Sequence, residues 1–245
     1  MSMEKWWNRE GAEVARHFQT DPENGLSQAA AAAHREKYGP NQLAEKEGES
    51  PFMLFLGQFK DFIIWVLIGA ALVSGFLQEW VDALAIICIV IINAILGFVQ
   101  EYRAEKSLAA LRKLASPNSR VIRDGNMLVL PSSEIVPGDL VEMEAGDYVP
   151  ADGRLVYATG NFSTSEASLT GESTPVSKHT FRLEKEDTAL ADRVNMVFMG
   201  TSVVSGKARA LITSTGMTTE LGKIAEMIPD IEDNTTPLQK KLEEF

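Results

Sequence analysis

Glu172 follows Thr170 and Gly171 and precedes Ser173 within the string Ser168 to Ser173 (SLTGES). A carboxylate on a tight, exposed turn can accept a proton from an attacking water. The glycine beside it adds no side-chain bulk, so the backbone at Thr170 and Gly171 can come close to a bound group. The same residues also suit an ordinary turn, with Gly171 giving backbone freedom and the hydroxyls of Thr170 and Ser173 giving local hydrogen bonds. The string alone does not choose between chemistry and a surface loop, so the elements that carry it must.

Two uncharged apolar runs precede it, Phe62 to Leu77 and Ala83 to Val99, in a chain that is otherwise markedly polar. The first run covers about 24 Å at helical rise against a hydrocarbon core of ~30 Å, so flanking residues must help to span it. Phe52 to Phe59 extends the apolar character, which predicts one long, tilted or kinked transmembrane helix over residues 51–78. The second helix runs over residues 80–116 and continues past the membrane as a stalk, where helix formers and mixed charges replace the apolar run. A pair of buried core helices is the alternative, but the chain has too little soluble protein to cover both. Asn93 and Gly97 are four apart in the second run and suit close helix packing. The short acidic connection around Trp80 contrasts with Lys46 before the hairpin and Arg103, Lys106, Arg112 and Lys113 after it, which puts both chain ends in the cytoplasm.

Residues 1–50 carry two helical patterns, Trp7 to Phe18 and Ser27 to Tyr38, with Ser27 as N-cap and Gly39-Pro40 as the stop. From residue 117 to about 230 the period shifts towards two, in segments at 119–123, 127–130, 140–143, 153–158, 196–201 and 206–215. Asp124-Gly125 fits a tight hairpin, and Pro137-Gly138-Asp139 and Pro150-Ala151-Asp152 fit scaffold turns. Residues 221–227 form a short helix, and residues 231–245 read as a linker towards a further membrane helix. The fold class is an α+β membrane protein: N-terminal helices, two transmembrane helices with a cytoplasmic stalk, and a β-rich domain. The net charge of −11 excludes a nucleic-acid partner. Cys88 is the only cysteine, so neither an intramolecular disulfide nor a cysteine metal cluster can form. The three histidines have no paired spacing for zinc.

Taken with their order along the chain, several stretches resemble the N-terminal portion of the calcium-transporting P-type ATPases. They are Gln58 to Asp61, Asn93 to Glu101, Ile135 to Val141, Gly146 to Gly153, Leu169 to Val176, Gly200-Thr201, Gly206, and Thr219 with Gly222 to Ile224. The resemblance implies that residues 117–230 are an actuator domain, whose loop is thrust against a phosphorylated aspartate on another domain. Glu172 matches the glutamate that orients the hydrolytic water, with Thr170, Gly171 and Ser173 completing the catalytic loop. Lys60 and Asp61 are candidates for an ion-entry path, because charges at membrane depth mark such paths; snorkelling to the interface is the other reading. Lys60 stands where animal reticulum pumps carry an acidic residue, which leaves the ion stoichiometry open. Ser165-Glu166-Ala167 stands where the family often has Asp-Glu-Ser, so the loop is expected to be held differently.

No Asp-Lys-Thr-Gly string and no nucleotide-binding segment occur in these residues, and the resemblance assigns both to other parts of a complete pump. The expectation is that the chain alone holds no cofactor and is inactive, with Mg2+ and ATP bound by the complete enzyme. Its partners are the phosphorylation and nucleotide-binding domains, the lipid bilayer and a transported cation, with Ca2+ as the leading ion. Manganese, sodium or potassium, and protons are alternatives, as is a non-catalytic, membrane-anchored module that binds a pump in trans. The absence of a signal peptide, disulfides and a retention signal favours a plasma membrane.

Overall fold

The computed structural model describes residues 5–44, 50–60, 62–114 and 117–227, with side chains undescribed at 105 and 108–114. Five helices come first: α1 (Gly11–His17), α2 (Gln28–Tyr38), α3 (Pro51–Gly57), α4 (Phe62–Phe76) and α5 (Trp80–Leu114). The strands are β1 (Asn118–Arg123), β2 (Asn126–Pro131), β3 (Leu140–Glu144), β4 (Asp152–Ala158), β5 (Ser163–Ser165), β6 (Val176–Ser177), β7 (Met196–Val197), β8 (Ser202–Ser205) and β9 (Lys207–Ser214). Helix α6 (Ala167–Thr170) lies between β5 and β6, and α7 (Glu220–Met227) follows β9. Contacts divide the chain into two units, residues 1–45 with 117–245, and residues 46–116.

In the first unit a six-stranded sheet runs β2-β1-β3-β9-β4-β7 and a smaller one runs β6-β5-β8. The β1–β2 hairpin turns on Asp124 and Gly125, both left-handed at φ 49° and 74°, the combination a two-residue hairpin needs. The Asp124 carboxylate also accepts the Gln28 N–H at 2.9 Å, and Ser27 caps the same helix by accepting from Ala30 N at 3.1 Å. The interval 196–201, expected as one strand, is instead β7 and a turn, with β8 entering the other sheet; Gly200, at φ 80°, makes the change of direction.

The N-terminal helical segment belongs to this unit because it covers one face of the larger sheet. Trp6, Val14 and Phe18 pack with Met196, Phe198 and Leu211. Arg154 is fully buried and donates to the main-chain oxygens of four residues: Arg9 at 3.1 and 3.2 Å, Leu155 at 2.6 Å, Thr180 at 2.9 Å and Asn195 at 3.4 Å. Burial pulls its pKa down to about 10. Asn195 makes a parallel tie, donating to Trp7 O at 2.9 Å and Phe181 O at 2.8 Å. Both side chains close main-chain acceptors that the irregular segments could not satisfy themselves.

In the second unit the interval 51–78 is not one continuous helix. Ser50 caps α3 by accepting from Met53 N at 3.2 Å, Pro51 occupies the first turn, and a 3-10 turn over Gln58–Lys60 leads to α4 at an angle of 69°. Gln58 bridges to α5: its amide donates to Glu101 at 2.6 Å, and its oxygen lies where a Cβ on Gly97 would stand. Gly97 therefore packs as expected, whereas Asn93 is exposed rather than packed. Residues 80–104 of α5 hold an 18-residue stretch of mean hydropathy 2.6 and are long and apolar enough to cross a membrane; α3 and α4 meet that test only as a bent pair.

Candidate functional site

The SLTGES string forms α6 and the turn that ends it. Gly171 stops the helix in the left-handed region at φ 77°, ψ −4°, and its N–H returns to Ala167 O at 3.0 Å. A residue with a Cβ is strained in that conformation, so glycine is required by the backbone. Nothing lies within 4 Å of where such a Cβ would be, which leaves the turn open on its outer side.

The four expected catalytic residues fall on this one turn but differ in setting. Thr170 is half-buried, and its hydroxyl donates to Glu166 O at 3.1 Å while accepting from Glu172 N at 3.2 Å. Glu172 and Ser173 are exposed. Among the described residues the Glu172 carboxylate has neither an ion pair nor a hydrogen-bond partner, so it is available to a group brought to the loop from outside. Lys60 is exposed at the end of its 3-10 turn. Asp61 lies outside the described residues, as do residues 228–245, which include the expected linker.

The base of the loop is anchored by four side chains outside the expected catalytic set. Glu166 and Lys178, 1 % and 0 % exposed, form an ion pair below the turn. Thr164 adds a hydrogen bond to the same Glu166 oxygen at 3.1 Å, and Ser168 donates to Gly200 O at 3.0 Å. Burial pulls the Lys178 pKa down, opposed by the neighbouring Glu166 charge. The departure at Ser165-Glu166-Ala167 was the only signal, since the pairing of Glu166 with Lys178 depends on the fold between them.

The two scaffold turns put their carboxylates to structural use. Asp139 is fully buried and takes Arg123 in a two-point contact, Nε at 2.8 Å and Nη2 at 2.7 Å, while also accepting Val136 N at 2.8 Å. Asp152 accepts Met199 N at 2.8 Å and Glu220 N at 2.7 Å, joining the turn before β8 to the start of α7. Burial pushes its pKa up to about 6 against the pull of those two N–H groups.

A unit of apolar helices and a β-rich unit with an exposed TGES turn fit the resemblance to the P-type ATPases. Comparison with known families agrees: the P-type ATPase actuator domain matches residues 113–229, and the cation transporter/ATPase N-terminus matches residues 6–74. The chain belongs to the P-type ATPase family. It is 47 % identical over 226 residues to a calcium-transporting ATPase of Bacillus subtilis, covering 92 % of this chain and 25 % of that protein. It is 45 % identical over 223 residues to a calcium-transporting ATPase of Listeria monocytogenes, covering 91 % and 25 %. An endoplasmic reticulum-type calcium-transporting ATPase of Arabidopsis thaliana is 40 % identical over 256 residues, covering 98 % and 24 %. The chain thus spans about a quarter of the length of the curated relatives it matches.

Proposed function

We propose that this chain supplies the first membrane hairpin and the actuator of an ATP-driven Ca2+ pump. In this reading Glu172 orients and deprotonates the water that hydrolyses an aspartyl phosphate carried by another domain. The observation that carries the proposal is the Glu172 turn: an exposed carboxylate, unpaired among the described residues, next to a left-handed glycine with open space beside it. A base must reach the attacking water, and the backbone beside it must tolerate a phosphate at close range. Gly171 meets the second need, and the Thr170 hydroxyl restrains the main chain that carries Glu172.

The choice of Ca2+ rests on the names of the relatives. Among the described residues no three His, Cys, Asp or Glu side chains gather to hold a metal ion. In this proposal Mg2+, ATP and the phosphate acceptor belong to the other domains of the pump. The apolar helix α5 and the bent α3–α4 pair cross the plasma membrane, with both ends of the chain in the cytoplasm. Lys60 and Asp61 lie at the entrance to the ion path.

The test uses the complete gene product in membranes. ATP hydrolysis should be stimulated by Ca2+ and not by Mn2+, Na+ or K+, and the Glu172→Gln enzyme should form phosphoenzyme but lose it roughly 100-fold more slowly. Phosphate release at the unmodified rate would show that Glu172 has no part in hydrolysis. Stimulation by another ion would leave the hydrolytic role standing and overturn the choice of Ca2+.

A further inference from the structure

Glu166 stands at the first foot of the Glu172 loop, just before α6, and Lys178 lies just past β6, at the end of the β5–β6 ladder away from the loop. The strands beneath them are short: β5 pairs with β6 through only Ser163 with Ser177 and Thr164 with Val176. Such a ladder fixes the base of the loop weakly, and the buried ion pair runs along it as a tie, from Glu166 at the loop end to Lys178 at the far end. The Lys178 ammonium also sits 5.2 Å over the Phe198 ring, and the Lys178 backbone N–H donates to Phe162 O at 3.0 Å, which fixes that end of the tie to the core.

The tie reaches Glu172 through hydrogen bonds. The Glu166 carbonyl accepts from Leu169 N and Thr170 N, both at 2.9 Å, and from the Thr170 hydroxyl at 3.1 Å. That hydroxyl accepts the Glu172 N–H in turn. A rotation of Glu166 is therefore passed through one side chain to the backbone that aims the carboxylate. Stability alone is a poor reason for this pair. Desolvating two charges offsets most of their attraction, and Glu166 Oε2 is buried with no hydrogen-bond partner among the described residues.

We propose that Glu166 and Lys178 are positioning residues for hydrolysis, a buried clamp that holds the Glu172 turn at the setting needed to meet the phosphorylated partner domain. This rests on the reading of Glu172 given above.

The experiment follows phosphoenzyme decay in the complete gene product, with the level of phosphoenzyme formed and the melting temperature read on the same membranes. The informative variant is Glu166→Gln/Lys178→Met, which removes both charges at nearly constant volume and leaves no unpaired ion. Decay should slow roughly 10- to 100-fold, because a small misplacement of a catalytic group has effects of that size. Phosphoenzyme formation and melting should stay near the unmodified values. Decay at the unmodified rate in the double variant would reduce the pair to charge balance and overturn the proposal.

Thr170→Val gives an independent reading should the double variant fail to fold. It breaks the relay at the hydroxyl, so it should slow decay by itself, and unmodified decay in this variant overturns the relay. Where the double variant does fold, adding Thr170→Val should slow decay little further, since both act on one path; fully multiplicative effects count against the path. Glu172→Gln separates the two levels. If it decays normally, the reading of the loop falls; if it is slow while the pair and Thr170 variants decay normally, only the clamp falls.

Discussion

Asp139 and Glu172 follow the same local pattern, an acidic residue directly after a glycine in a turn, and the structure uses them in opposite ways. Asp139 is fully buried and makes three hydrogen bonds, two of them to a guanidinium. Glu172 is exposed and its carboxylate makes none with the described residues, although its backbone is held through Thr170. A turn whose carboxylate is consumed internally is a fastening, whereas one whose backbone is fixed and whose carboxylate is left free is ready for an external group. The comparison predicts that substitutions at the two sites separate stability from hydrolysis.

Asp139→Ala should give the largest loss of stability, about 3–5 kcal/mol, because it leaves Arg123 buried without its counter-charge. Thermal or urea unfolding of the β-rich unit should show it, and a loss under about 1 kcal/mol would mean that the pair is not a main fastening.

Asp152 should make the next largest contribution, and it depends on pH. Its folded pKa of about 6 lies above the ordinary 3.8, so between these values the folded protein keeps a proton that the unfolded chain has released. That contribution is full below the lower value and is lost as pH rises through the upper one, up to about 3 kcal/mol in all. Urea unfolding from pH 4 to pH 7 should show this decline, and Asp152→Asn should flatten it. An unchanged slope in the variant would place the titration elsewhere.

Gly171→Ala should cost about 1 kcal/mol through its left-handed backbone, with no clash, because the space around it is open. It should also slow phosphoenzyme decay. A neutral result in both assays would break the link between that conformation and hydrolysis.

Much of this arrangement was legible because it depends on local chemistry. Ser27 as a cap, Asp124-Gly125 as a hairpin turn and Gly171 as the free point of a turn each follow from what one or two residues allow. Gly97 was legible for the same reason. Asn93 was not, since helical spacing alone does not say which side of α5 receives a neighbour. The smaller sheet escaped notice because β5, β6 and β8 are short and serine-rich, with no run long enough to show alternation. The Glu166–Lys178 clamp and the carbonyl cage around Arg154 join residues far apart in sequence, and only the folded chain brings their partners together. The bend between α3 and α4 falls beside the charged Lys60, within the interval where a kinked helix was one of the expected forms.

The most direct measurement is the decay rate of the phosphoenzyme in Glu172→Gln beside the melting temperature of the same preparation. The account predicts stability within about 0.5 kcal/mol of the unmodified protein and decay roughly 100-fold slower. Unmodified decay, or slow decay that accompanies a large loss of stability, would contradict the claim that this turn is held for chemistry and not for the fold.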